Sequence, residues 1–285
     1  MMGMHKISLT GDLGSGKSAV SKILSDKLNY RIVSTGSIQR DIAVKYNMST
    51  LELNEYTKTH PEIDDEIDGT VTKLAETDEN LIFDSRLAWH FAPHSFKVYL
   101  LVDSFVAAER IFNDHRTGEG YETVLEAREK ILARRKSELE RFKTYYHIDY
   151  ADLRNFDLVI ETTLATPEEV THTILEAFAK WQQNNPFPRF HLSPKSLYPT
   201  RLVCCSLDKD LADVKVLHFE RDFLIIQGHQ PISKAIAQNL HLIPVECAFE
   251  GYDDFLKTLR IQMLKQWEDL NFIRFRRYPE YYLGL

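Results

Sequence analysis

Residues 11 to 18 read Gly-Asp-Leu-Gly-Ser-Gly-Lys-Ser, the G-x-x-x-x-G-K-[ST] spacing of a loop that wraps its backbone around phosphate. Glycines let successive N–H groups converge on one anion, and a helix starting at Lys17 adds the partial positive charge of its N-terminus. In that arrangement Lys17 reaches the β- and γ-phosphates of a nucleoside triphosphate and the Ser18 hydroxyl ligates Mg²⁺. The expected triphosphate set is Gly11, Gly14, Ser15, Gly16, Lys17, Ser18 and Ala19, with ATP and Mg²⁺ as cofactors. A chance Gly-rich turn would lack the context seen here. The apolar run His5–Leu9 leads in, and an amphipathic stretch with Val20, Ile23, Leu24 and Leu28 on one face leads out.

A second group of residues suits phosphoryl transfer. The apolar run Leu81-Ile82-Phe83 ends in Asp84. A carboxylate at the end of a parallel strand beside the loop strand belongs to a Mg²⁺ ligand or general base, although an Asp there also caps helices. Arg86 follows two residues later, with a fork that fits phosphate. Arg110, Arg116, Arg128, Arg134, Arg135 and Arg141 cluster in charge-dense helical sequence. Such runs are mostly solvated faces, but two or three of the six are expected to serve the site, since phosphoryl transfer needs cations that arrive as it closes.

These side chains need a scaffold. Short apolar runs at 5–9, 31–33, 81–83, 97–102 and 157–160 alternate with amphipathic stretches, the pattern of an α/β domain with a parallel sheet. Residues 122 to 141 read as one long exposed helix with few apolar positions. The polar, proline-bearing segment 184–191 reads as a linker. Domains are therefore expected at 1–183 and 192–285, the second with short strands (202–206, 223–227, 243–247) and helices at 232–239 and 253–269. The 285 residues suit two domains.

Bulk properties narrow the function classes. A net charge of −7 disfavours nucleic acid as the main partner. No apolar stretch approaches the ~20 residues that span a bilayer, and the N-terminus reads as a strand rather than a signal peptide. The cysteines, Cys204, Cys205 and Cys247, are too few and odd in number for a disulfide framework. A cytoplasmic protein acting on small nucleotides is expected, with a homo-oligomer or protein partner engaged through the C-terminal domain.

The first 180 residues resemble the cytidylate kinase family in its short archaeal-type branch. The similarity is carried by Ser34-Thr35-Gly36 with Arg40, by 61–68 including Asp64 and Asp68, by Asp84-Ser85-Arg86-Leu87-Ala88, by 134–149, and by 156–162. It implies a P-loop NTPase three-layer α/β/α fold with a helical lid, phosphorylating CMP or dCMP with ATP and Mg²⁺. By the same resemblance Arg40 and Arg86 grip the acceptor phosphate. Arg135 and Arg141 close over the transferring group, and Asp84 serves metal or acceptor. Thr35, Gly36, Asp64, Asp68 and Arg110 complete the acceptor side. Asp84 stands where the pattern has Glu and Ser85 where it has Gly, while Trp89 and His90 are placed to reshape the acceptor pocket. These departures bear on base specificity more than on phosphoryl transfer. A kinase for another small acceptor and a nucleotide-sensing regulator with little turnover are the alternatives.

Residues 192 to 247 resemble a ParB/sulfiredoxin-like domain through 192–199, 223–235 and 240–245. Pro231 stands where that family has a phosphate-binding Arg. The resemblance thus implies a smaller α+β accessory domain used for interaction or regulation.

Overall fold

The computed structural model describes residues 5–49, 52–53, 56, 60, 62–114, 121–198, 214–219 and 221–249. Arg116, Cys204, Cys205, the strand expected at 202–206 and the helix expected at 253–269 lie outside them. Contacts divide the chain into a unit from Met1–Phe187 and another from Pro188–Leu285.

In the first unit five strands pair, all parallel, in the order β2-β3-β1-β4-β5. They are β1 (Lys6–Gly11), β2 (Arg31–Ser34), β3 (Leu81–Asp84), β4 (Phe96–Leu101) and β5 (Leu158–Glu161). Ile7 and Leu9 point one way from β1 and Ser8 and Thr10 the other, yet all four are fully buried. Both sheet faces are therefore covered, which makes the unit a three-layer α/β/α fold. The two buried hydroxyls are satisfied: Ser95 donates to Ser8 Oγ at 2.9 Å, and Thr10 donates to the Ser85 carbonyl at 3.0 Å.

Seven described α-helices join the strands: α1 (Lys17–Leu28), α2 (Thr35–Lys45), α3 (Glu62–Ala75), α4 (Ala88–Phe91), α5 (Ser104–Asn113), α6 (Val124–Tyr146) and α7 (Pro167–Gln182). Reciprocal hydrogen bonds between Ser34 and Ser37 start α2 directly at the end of β2, so that Thr35 and Gly36 face the sheet's C-terminal edge. Ile38 and Ile42 of α2 and Ile63, Ile67 and Val71 of α3 share one core cluster with Val33, Leu81 and Phe83. That packing fixes the two helices beside β3. α7 starts on a Thr166–Glu169 capping box with Pro167 in its first turn and packs on α1.

The long helix differs from its sequence-based bounds. The Thr123 hydroxyl accepts from the Glu126 N–H at 3.1 Å, which sets the start, and His147 at φ 56° ends it. Its last turn, beyond Arg141, is held by buried Phe142, whose ring lies 5.5 Å from Tyr150 and 6.1 Å from Tyr146. The helix also buries Ala127 and Ile131, so it is not simply a solvated element.

The second unit has a mixed sheet in the order β6-β10-β8-β9-β7, built from β6 (Phe190–Leu192), β7 (Leu197–Tyr198), β8 (Lys215–Phe219), β9 (Asp222–Gln227) and β10 (Ile243–Ala248). β6–β10 and β8–β9 are antiparallel; β8–β10 and β7–β9 are parallel. One α-helix is described there, α8 (His229–Ala237). It starts three residues before the expected 232 because Gly228, at φ 90°, turns the chain straight from β9 into the helix and leaves Pro231 in its first turn. Strand β8 has no counterpart in the sequence-based expectation.

Candidate active site

β1 runs between β3 and β4, the point where the chain order changes direction and where open parallel sheets bind ligands at their carboxyl ends. The phosphate loop leaves β1 there. At Gly11 (φ 151°) a Cβ would come within 2.8 Å of the Leu100 backbone nitrogen. At Gly14 (φ 74°) it would come within 2.8 Å of the Ala107 backbone. Both positions require glycine for the loop to lie against β4 and α5.

The loop is braced from several sides. The Asp12 N–H donates to the Leu100 carbonyl at 2.9 Å, and the Ser15 hydroxyl donates to the Asp12 carbonyl at 2.8 Å. Lys17 Nζ donates to the carbonyls of Gly11 and Asp12 at 2.9 and 2.8 Å. Burial first, and Arg86 second, push the Lys17 pKa well below its ordinary value, while Asp84 and Glu138 oppose the shift. Anionic phosphates at the loop would restore the charge.

Strand register sets Asp84 opposite Leu9 on one side and Ser34 on the other. The Ser18 hydroxyl hydrogen-bonds to Asp84, whose pKa is raised by burial against the pull of Lys17, Arg86 and Ser18. This oxygen pair beside the loop fits a hard cation such as Mg²⁺. Among the described residues no cluster of three or more His, Cys, Asp or Glu forms a metal cage.

A cavity of about 1240 Å³ joins these groups to α2, α3 and α6. Of the residues expected at the site, Gly14, Gly16, Lys17, Ser18, Ala19, Thr35, Gly36, Asp64, Asp68, Asp84, Arg86, Arg110 and Arg141 line it. On its far wall the Tyr146 hydroxyl donates to Asp68 at 2.6 Å. Burial raises the Asp68 carboxyl to about 6, with Tyr146 and Arg141 opposing and Asp64 and Asp65 adding to the rise.

Four expected residues are not in the lining. Gly11 and Ser15 serve the loop from behind. Arg40 is exposed one turn along α2, its guanidinium 3.7 Å from where a Cβ on Gly36 would stand. Arg135 points back from α6 into an ion pair with buried Asp12, which also accepts from Tyr99 Oη at 3.2 Å and the Val102 N–H at 3.3 Å. Arg110 lines the cavity on the loop's side rather than beside α3. It donates to the carbonyls of Thr162 (2.7 Å), Thr163 (3.2 Å) and Gly14 (3.2 Å). Trp89, expected at the acceptor pocket, is buried with its ring 5.4 Å from Phe156.

Sequence reasoning missed Asp12, Glu138 and Tyr146. Asp12 occupies a variable place in the loop pattern and carries no signal there. Glu138, four residues after Arg134, was readable only as one more charge on a solvated face.

A family model described as the cytidylate kinase-like family matches residues 6–164, more than half of the chain. The chain belongs to the cytidylate kinase-like family. A cytidylate kinase of Sulfolobus acidocaldarius is 40% identical over 177 residues, covering 61% of this cytidylate kinase-like chain and 94% of the relative. That of Ignicoccus hospitalis is 40% identical over 173 residues, covering 60% and 97%. An S-adenosylmethionine-dependent nucleotide dehydratase of Lacinutrix mariniflava is 33% identical over 234 residues. That alignment takes in 81% of this chain, so it enters the second unit, but the chain spans only 46% of the relative. The ParB/sulfiredoxin-like resemblance finds no support in these matches. No described helix is long and apolar enough to cross a membrane.

Proposed function

We propose that the first unit transfers the γ-phosphoryl group of ATP to a nucleoside monophosphate, with CMP or dCMP the preferred acceptor. One observation carries this reading: a single cavity holds both the phosphate loop with Lys17, Ser18 and Asp84 and, facing it, Arg86, Arg141, Asp64 and Asp68. Phosphoryl transfer asks the protein for position and charge rather than covalent chemistry. The loop N–H groups and Lys17 bind and orient the donor phosphates. Ser18 and Asp84 would hold Mg²⁺, which neutralises charge developing on the phosphate oxygens. Arg86, which borders the loop at the Gly11 carbonyl, grips the acceptor phosphate and the donor phosphates beside it, and Arg141 approaches from α6. Asp64, Asp68 and Tyr146 form the wall against which the acceptor nucleoside rests.

The names of the archaeal relatives support CMP as acceptor. The dehydratase name supports a nucleotide over other small acceptors, and is not otherwise carried over to a chain that spans 46% of that protein. Boundaries at 183 and 192 and an accessory role for the second unit belong to the same proposal, as does a cytoplasmic location.

The test is ADP release from ATP·Mg²⁺ with CMP, dCMP, UMP, AMP, GMP and dTMP in parallel. Turnover fastest with CMP or dCMP is expected. Turnover with none of the six would refute the reading.

A further inference from the structure

Glu138 lies on the cavity wall between two arginines from different parts of the unit. Arg86, in the loop after β3, donates from Nε to Glu138 Oε2 at 3.1 Å. Arg134, one turn earlier on α6, donates from Nε to Oε1 at 3.1 Å. The Tyr150 hydroxyl adds a third contact to Oε2 at 3.5 Å. Arg86 also donates to the Gly11 carbonyl at the head of the phosphate loop. One edge of its guanidinium thus faces the loop and the other faces Glu138. The side chains of Arg86 and Glu138 are 17% and 16% exposed, so the pair is sheltered. The Arg134 side chain, at 55%, reaches the pair from solvent.

We propose that Glu138 is a positioning residue that sets Arg86 and Arg134 for phosphate before any nucleotide enters; this rests on the kinase reading above. A carboxylate offers two oxygens to guanidinium groups in the same planar, charge-assisted way as a phosphate. Through it, a guanidinium fixed near the sheet and one carried by α6 take up a common spacing. The conformational freedom of two long side chains is then lost before binding, which favours a reactive geometry at the moment of transfer. The same carboxylate is a negative charge beside incoming phosphates, and it competes with them for both arginines. Glu138 therefore acts in opposite directions on the two measurable steps: it loosens ground-state binding and speeds transfer. A carboxylate that only held the fold would do neither selectively.

The test uses the full chain with Glu138→Gln and Glu138→Asp. ATP affinity is read by calorimetry without acceptor, and kcat and KM are read with the best acceptor of the panel. For Glu138→Gln the expected result is ATP binding roughly 2–5-fold tighter with kcat lower by roughly 10–100-fold. Glu138→Asp, which keeps the charge on a shorter stem, should restore ATP affinity to that of the parent and recover part of kcat. Weaker ATP binding together with lower kcat, unchanged kcat, or an Asp variant no better than the Gln variant would each overturn the proposal. Thermal unfolding checks that each variant folds, and should Glu138→Gln fail to fold, the Asp variant carries the kcat comparison. If the parent turns over no acceptor, the kinase reading fails separately. The ATP affinities of parent and variants then still decide whether Glu138 competes with phosphate.

Discussion

Replacing Asp68 by Asn should make the first unit more stable at neutral and alkaline pH while impairing acceptor use. The folded-state carboxyl titrates near 6 against an ordinary 3.8, chiefly because it is buried. A carboxyl raised in this way favours the fold most when protonated. Its contribution is full below about 4, declines as pH rises toward 6, and is lost above that. The gap corresponds to about 3 kcal/mol for a carboxyl wholly shielded from water. Asp68 is only partly buried, so solvent screening reduces this to about 1 kcal/mol. Asn keeps an oxygen to accept from Tyr146 and removes the charge. For a unit of this size, about 1 kcal/mol appears as a shift of roughly 2–4 °C in Tm. Thermal unfolding of parent and Asp68→Asn at pH 8 and pH 4.5 should show the variant ahead by that amount at pH 8 and by only about a third of it at pH 4.5. Steady-state assays should show a raised acceptor KM. An offset that is the same at both pH values, or a variant less stable at pH 8, would refute the reasoning.

Lys17→Ala should lower turnover by roughly 10²–10³-fold, as expected for loss of one charge on the developing transition state. ATP should remain detectably bound through the loop N–H groups. Asp84→Asn should reduce kcat by a similar factor and raise the Mg²⁺ concentration needed for half-maximal rate, read by titrating the metal at fixed ATP. Arg135→Met should lower Tm by roughly 6–12 °C, because it leaves Asp12 buried without its counter-ion at a cost of about 3 kcal/mol; a shift under ~2 °C would show that the pair carries little of the loop's stability.

The first unit's sheet is legible in the sequence because four of its five strands, all but β2, are buried over most of both faces. They read as continuous apolar runs, and at the end of one of them Phe83 leads to Asp84 at the site. The phosphate loop is legible because glycines at 11 and 14 answer a local steric demand. Arg135 and Arg141 could not be told apart in the same way. They are six residues apart on one charge-rich helix, and which one meets buried Asp12 depends on how α6 is rotated against the core, a tertiary fact. Trp89 shows the converse: its neighbours in sequence suggest the pocket, and its packing on Phe156 removes it. In the second unit, β8 was missed because Lys215-Val-Leu-His-Phe219 is short and interrupted by a polar residue.

α6 has a consequence for how the two substrates sense each other. Its 23 residues make one unbroken rod of about 34 Å. Along it, Arg135 grips the loop through Asp12, Glu138 meets Arg86, and Tyr146 meets Asp68. A stiff rod cannot settle at one of these contacts without moving at the others. Donor and acceptor affinities should therefore be thermodynamically linked: whatever factor a non-hydrolysable ATP analogue adds to the affinity for CMP, CMP must return to the analogue.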